Sequence, residues 1–158
     1  MSKLDSMKDR KFVFGSVLIV ANRIDTLLER ALKEYDVTAK QWFLTVVIDN
    51  SFDKPPTIKE VAREMGSSHQ NVKQVALKLE QKGLLTLKKD NKDARVTRIR
   101  LTDESYKFWK TTQVKAATFT ESLFKDIDED EMSKARAVLQ KMIANLSNMD
   151  QNMIGKVD

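Results

Sequence analysis

The chain contains no cysteine among its 158 residues, which excludes disulfides, thiolate metal sites and thiol-based peroxide sensing. Histidine occurs once, so neither a histidine cluster nor a histidine-based triad can be assembled. Four glycines and two prolines leave little material for a loop-rich or all-β fold. There is no Gly-rich phosphate loop and no carboxylate pair set in an evident pocket, so an enzyme is poorly supported. No apolar run approaches the ~18 residues of a membrane span. The start, Met1-Ser2-Lys3-Leu4-Asp5, has no apolar signal core, and a cytoplasmic protein with no membrane partner is expected. Internal repeats and low-complexity tracts are also absent. What remains is 41% hydrophobic and 32% charged, with a net charge of +5. That balance suits a helix-rich protein with a real core.

The positive charge is concentrated. Between Lys73 and Arg100 stand nine basic residues and three acids, a net +6 against +5 for the whole chain. One segment therefore carries all of the excess, the electrostatic footprint of a duplex-binding face.

Local signals give that segment a shape. Thr57-Ile58-Lys59-Glu60 reads as a capping box, and Ile58, Val61, Ala62 and Met65 follow at helical spacing. Gly66 supplies the positive φ of a tight helix exit. Ser67-Ser68-His69-Gln70 reads as a second capping box, so another helix starts almost at once. Small Ala62 allows close approach, and Val72 and Val75 pin the second helix on the first, as in a helix-turn-helix. Val72, Val75, Ala76 and Leu79 face inward. His69, Gln70, Asn71, Lys73, Gln74 and Lys78 face outward, with no carboxylate before Glu80. Asn and Gln can pair with adenine edges, and Lys with guanine or phosphate. A merely solvated face usually mixes both signs.

Gly83 ends this helix. Leu84-Leu85-Thr86-Leu87 and Val96-Thr97-Arg98-Ile99-Arg100-Leu101 read as strands around a polar turn from Lys88 to Ala94. Along the second strand Val96, Arg98 and Arg100 point one way and Thr97, Ile99 and Leu101 the other.

The outer segments are helical stripes. Phe12, Val13, Val17, Val20, Ile24, Leu27, Leu28 and Ala31 line a first helix. Thr38 with Gln41 caps a second, whose buried side is expected from Phe43, Leu44, Val47 and Ile48. A loop is expected from Asn50 to Pro56. Thr102 should cap a helix carrying Tyr106, Phe108, Trp109, Val114, Ala117, Phe119, Leu123 and Phe124. Asp128-Glu129-Asp130-Glu131 should cap a last one carrying Met132, Ala135, Val138, Leu139, Met142, Ile143 and Leu146. The acids from Asp126 to Glu131 are better read as complementing a helix dipole than as metal ligands, and no metal or cofactor is expected. These stripes can fold over their own core or bury each other against a second copy.

Taken in order, the chain from Phe12 to Leu146 resembles the MarR family of winged-helix regulators. Val37 to Trp42 looks like that family's entry into its second helix, Leu79 to Leu84 like its recognition-helix exit, Asp93-Ala94-Arg95 like its Asp-x-Arg wing signature, and Leu101-Thr102 like the start of its post-wing helix. The resemblance implies a mainly α fold with a small β-hairpin wing, as a single domain over 1–158. Residues 37–101 would form the winged helix-turn-helix lobe, and 10–36 and 102–150 the helical dimerisation region. It implies a homodimer on a near-palindromic site in double-stranded DNA, most simply as a repressor. It also implies that Arg95 enters or skirts the minor groove while Asp93 helps hold the wing. The expected DNA-binding set is Ser67, Ser68, His69, Gln70, Asn71, Lys73, Gln74, Lys78, Lys88, Lys89, Lys92, Asp93, Arg95 and Arg98. Family members bind small phenolic or otherwise lipophilic effectors between the scaffold and the DNA-reading lobes; Trp42, Phe43, Tyr106 and Trp109 are candidates for such a pocket. The alternative is a winged-helix module that docks a protein and touches no DNA.

Overall fold

The computed structural model describes residues 3 and 6–154. Met1, Ser2, Leu4 and Asp5, from the stretch without a signal core, lie outside the described residues, as do residues 155–158 at the end of the expected domain. Two compact units divide the chain, one up to Phe119 and one from Thr120.

The first unit begins with α1 (Asp9–Leu32), about 36 Å long at 1.5 Å per residue. Of its apolar stripe only Leu28 is buried; Ile24 and Ala31 are half-buried, and Phe12, Val13, Val17, Val20 and Leu27 stay exposed. A 3-10 turn (Lys33–Tyr35) ends at Asp36 in the left-handed region, φ +54°. The reciprocal Thr38–Gln41 box then starts α2 (Ala39–Ser51). α2 runs two residues further than the expected loop start, because the restriction imposed by Pro55 reaches back only to Lys54. Phe43 is also not on the buried side. The inward arc runs from Val47 through Leu44 and Ile48 to Thr45, and Phe43 lies beyond Val47, 43% exposed.

α3 (Ile58–Glu64) starts at the Thr57–Glu60 box. Its exit corrects the second cap. Gly66, at φ +62°, donates its N–H to the Arg63 carbonyl, and Ser67 donates to that of Ala62. Ser67 is thereby used to close α3. The cap of α4 (His69–Gln81) moves to Ser68, whose hydroxyl accepts the Asn71 N–H at 3.2 Å. Gly83 repeats the same closure after α4, with the Leu84 N–H on the Leu79 carbonyl, so Leu84 belongs to the helix exit and not to a strand.

β1 (Leu85–Lys89) pairs antiparallel with β2 (Thr97–Leu101), placing Leu85 opposite Leu101, Leu87 opposite Ile99 and Lys88 opposite Arg98. Val96 is held in the turn by hydrogen bonds with Asp90 and Asp93. A single bridge from Thr57 to Arg98, and the Ile99 N–H on the Pro56 carbonyl, tie the loop before α3 to the free side of β2. The inner hairpin face packs with α2, α3 and α4 in one core containing Leu44, Val61, Val72, Ala76, Leu79, Leu85 and Ile99. Thr102 then accepts the Ser105 N–H and donates to the Gly83 carbonyl at 2.7 Å, opening α5 (Asp103–Leu123). A smaller cluster of Leu28, Leu32 and Ala39 packs with Tyr35, Trp42 and Phe119.

The second unit holds α6 (Glu129–Ile154), opened by a reciprocal Asp128–Glu131 box. Its Val138, Leu139, Ile143, Leu146 and Met149 are exposed. Among the described residues no helix is long and apolar enough to cross a membrane.

Candidate nucleic-acid interface

α4 is amphipathic in the sense its sequence demands. Val72, Ala76 and Leu79 are buried and Val75 is half-buried, so the helix is pinned along one side. His69, Gln70, Asn71, Lys73, Gln74 and Lys78 are all exposed on the other. Ser68 is exposed at the helix start, and Ser67 is half-buried behind it. Glu80, the first acid after this run, turns back to accept the Leu87 N–H at 2.8 Å. That bond fastens β1 to α4 and removes the one nearby carboxylate from the outer face.

The turn between the strands is built on two aspartates. Asp90 Oδ2 accepts the N–H groups of Lys92 and Asp93, both at 3.1 Å. Its Oδ1 accepts Arg98 Nε at 2.5 Å, while Arg98 Nη1 donates to the Pro55 carbonyl at 2.9 Å. Arg98 thus braces the hairpin against the loop before α3. The Arg98 guanidinium first, and the Lys92 N–H second, hold the Asp90 carboxyl below its ordinary pKa. Asp93 holds Arg95 in the same way: Oδ1 accepts both the Arg95 N–H (3.0 Å) and Nε (3.1 Å), and Oδ2 accepts Nη2 (3.2 Å). The Arg95 guanidinium is the main cause of a lowered Asp93 pKa. The Arg95 side chain is 91% exposed, so the fork aims it outward without covering it. Lys88, Lys89 and Lys92 are exposed beside it.

The structure therefore places the exposed α4 residues and the wing cations on one lobe. Arg98 is engaged inside that lobe. Glu80, Asp90 and Pro55, which lie outside the expected DNA-binding set, position the wing. Only Asp90 had a local signal, the turn in which an aspartate accepts a backbone N–H two residues on.

A separate cavity of about 380 Å³ lies between α2 and the start of α5. Trp42, Tyr106 and Trp109 line it together with Asp49, Leu101 and Lys110; Phe43 does not. The Trp109 indole N–H is occupied by Ser105 Oγ at 2.8 Å. Burial, followed by the nearby Asp49 carboxylate, raises the Tyr106 pKa. Among the described residues no group of acids and histidine is placed to hold a metal ion.

Comparison with known proteins agrees with this architecture. The MarR family model matches residues 35–96, from the 3-10 turn to the wing. The HTH-type transcriptional repressor IacR of Pseudomonas putida is 19% identical over 145 residues, 92% of this chain and 86% of its own. The S. aureus MepR–DNA complex superposes with a TM-score of 0.74 at 19% identity, covering 89% of this chain and 99% of MepR. CouR from Rhodococcus jostii RHA1, bound to p-coumaroyl-CoA, gives 0.73 at 18%, covering 90% and 96%. Residues 35–96, which hold the capped two-helix turn and the Asp-braced wing, match the MarR family, and over about nine-tenths of its length the chain has the winged-helix fold of MarR-type regulators.

Proposed function

We propose that this chain is a cytoplasmic, homodimeric repressor that binds near-palindromic double-stranded DNA and performs no catalysis. One observation carries the reading: α4 presents amides and lysines with no carboxylate, beside an exposed arginine held forward by Asp93. Gln70, Asn71, Lys73 and Gln74 read base edges in the major groove. Ser67, Ser68, His69, Lys78, Lys88, Lys89, Lys92 and Arg95 contact the backbone or the adjacent minor groove. Asp93 and Arg98 act from behind, by fixing the wing. The MepR neighbour in complex with DNA supports this docking, and IacR supports repression.

Dimerisation would cover the apolar side chains that α1 and α6 each leave exposed, Phe14 and Ile143 being 68% and 64% accessible. Twofold symmetry would then put the two α4 helices in successive major grooves, roughly 10 bp apart or a little more. The aromatic cavity would receive a small lipophilic or phenolic effector. Such a ligand relieves repression if it favours a lobe separation that misfits the operator; CouR with its bound p-coumaroyl-CoA supports a ligand-responsive reading.

Selection of bound sites from random duplexes tests the proposal, followed by a salt titration on the selected site. A palindrome is expected, with affinity falling roughly a thousandfold between 50 and 200 mM salt for ~6 phosphate contacts. Asn71→Ala should alter the selected sequence. A protein that ignores every duplex at low salt would be a protein-docking module, and the proposal would fail.

A further inference from the structure

The outer face of the hairpin carries a second basic surface. Register places Thr86 opposite Arg100 and Lys88 opposite Arg98, all pointing away from the core that holds α4. Lys54, from the loop before α3, and Lys89 join them around an open cleft of about 390 Å³. Five cations there face one carboxylate, Asp90, already committed to Arg98 and two backbone N–H groups. Among the described residues, Lys54, Lys88, Lys89 and Arg100 have no carboxylate within 4.0 Å.

Folding calls for Arg98, which grips Asp90 and the Pro55 carbonyl, but not for gathering Lys54, Lys88, Lys89 and Arg100 around it. Like charges directly opposite each other across two strands destabilise the pair, and Lys88 and Arg98 are so placed. The cluster makes sense against an anion. Its form favours a polyanion over a compact ion, because exposed lysines on an open strip make no enclosed cage. The strip is also continuous with the wing tip, since Lys88 and Lys89 lead into the turn that carries Lys92 and Arg95. The hairpin stands between this face and α4, so the groove that α4 enters cannot supply the anion.

We infer that the outer wing face, through Lys54, Lys88 and Arg100, binds the sugar-phosphate backbone of duplex DNA flanking the operator, beyond the segment read by α4. The inference rests on the DNA-reading function proposed above and adds a footprint to it.

The test compares a duplex of about 20 bp carrying the selected palindrome, two helical turns, with the same site centred in about 40 bp. Affinities are measured from 50 to 200 mM salt. One extra phosphate per lobe makes the longer duplex's log K–log salt slope steeper by about 1.8. A fourfold rise in salt then weakens it about tenfold more than the short one. The K54Q/R100Q double variant should abolish that difference while leaving the short duplex bound as in the unaltered protein. R100K, which keeps the charge, should preserve it. Equal slopes at both lengths in the unaltered protein would overturn the inference, and that comparison does not depend on how any variant folds. A double variant that loses affinity equally at both lengths would also overturn it, by placing these residues on the operator core. Failure to bind either duplex would sink the DNA-reading proposal instead, so the two failures are distinguishable.

Discussion

Arg95 is the residue whose removal separates charge from placement. Its guanidinium is almost fully exposed, and its only charged partner within 4.0 Å among the described residues is Asp93, through two parallel hydrogen bonds of 3.1 and 3.2 Å. Arg95→Ala deletes one phosphate-facing cation per lobe and touches nothing buried. For a dimer that is two contacts, and the slope of log K against log salt should flatten by about 1.8. Arg95→Lys keeps the charge but cannot form the two-pronged grip, because an ammonium is a point donor on a flexible stem. Its slope should match the unaltered protein while affinity falls, by up to about tenfold per lobe, as the freed side chain must be ordered on binding. Fluorescence anisotropy on a labelled operator at several salt concentrations reads both quantities. Thermal melting should shift only slightly in either variant, because the Arg95–Asp93 pair is exposed and screened by solvent. An unchanged slope in Arg95→Ala would show that Arg95 meets no phosphate. Full affinity in Arg95→Lys would show that the Asp93 grip contributes nothing.

Three further outcomes can be checked. Gly66→Ala meets no atom within 4 Å but must hold φ at +62°, so it should lower stability in urea by about 1–2 kcal/mol; a neutral result would mean that the turn rearranges. Asp90 and Asp93 have lowered pKa values in the folded wing, so their stabilising contribution is present above the ordinary carboxylate value near ~3.9 and is lost as pH falls through the depressed ones. The Lys92 and Asp93 amide NMR signals should accordingly titrate with midpoints below ~3.9, and a midpoint near or above it would contradict the assigned bonds. Ile143→Glu places a charge on the exposed apolar face of α6, and sedimentation should then show monomers; persistence of a dimer would remove that face from the interface.

The parts of this molecule legible in the sequence are those set by neighbours in the chain. Thr38, Thr57 and Thr102 begin helices because each cap needs only a partner three residues away. The facing of β2 follows from two-residue alternation, with Ile99 and Leu101 inward. Its register depends on pairing with the other strand, as does the continuation of β1 through Lys88 and Lys89, which the sequence assigns to the turn. Where two local signals overlap, the reading slips: Ser67 and Ser68 both suit a cap, and only the α3 closure decides that Ser67 is already used. Phe43 belongs to a run of apolar residues on α2, and which arc is buried depends on α3 and α4, not on α2. Arg98 has the composition of a DNA contact, but its partners are Asp90 across the hairpin and Pro55, 43 residues away. Trp42 and Trp109 meet at one cavity although 67 positions separate them, a distance over which residue type alone carries no pairing signal.

That cavity shares structure with the wing, which gives effector control a concrete test. Leu101 lines the cavity and is the last residue of β2. The strand runs back about 13 Å to Thr97, at 3.3 Å per residue, and its Arg98 holds the wing turn through Asp90. A ligand seated against Leu101, Tyr106 and Trp109 would therefore press on the element that positions Arg95. If it acts by that coupling, linkage requires that it weaken DNA binding by the same factor by which DNA weakens the ligand. Quenching of Trp42 and Trp109 fluorescence by a simple phenolic acid, titrated with and without operator, gives one factor. Operator titrations with and without the acid give the other. A typical coupling of 1–3 kcal/mol makes each about 5- to 150-fold. Quenching that is identical with and without operator would mean that the cavity binds without signalling. Loss of DNA binding with no quenching would mean that the ligand acts somewhere else on the protein.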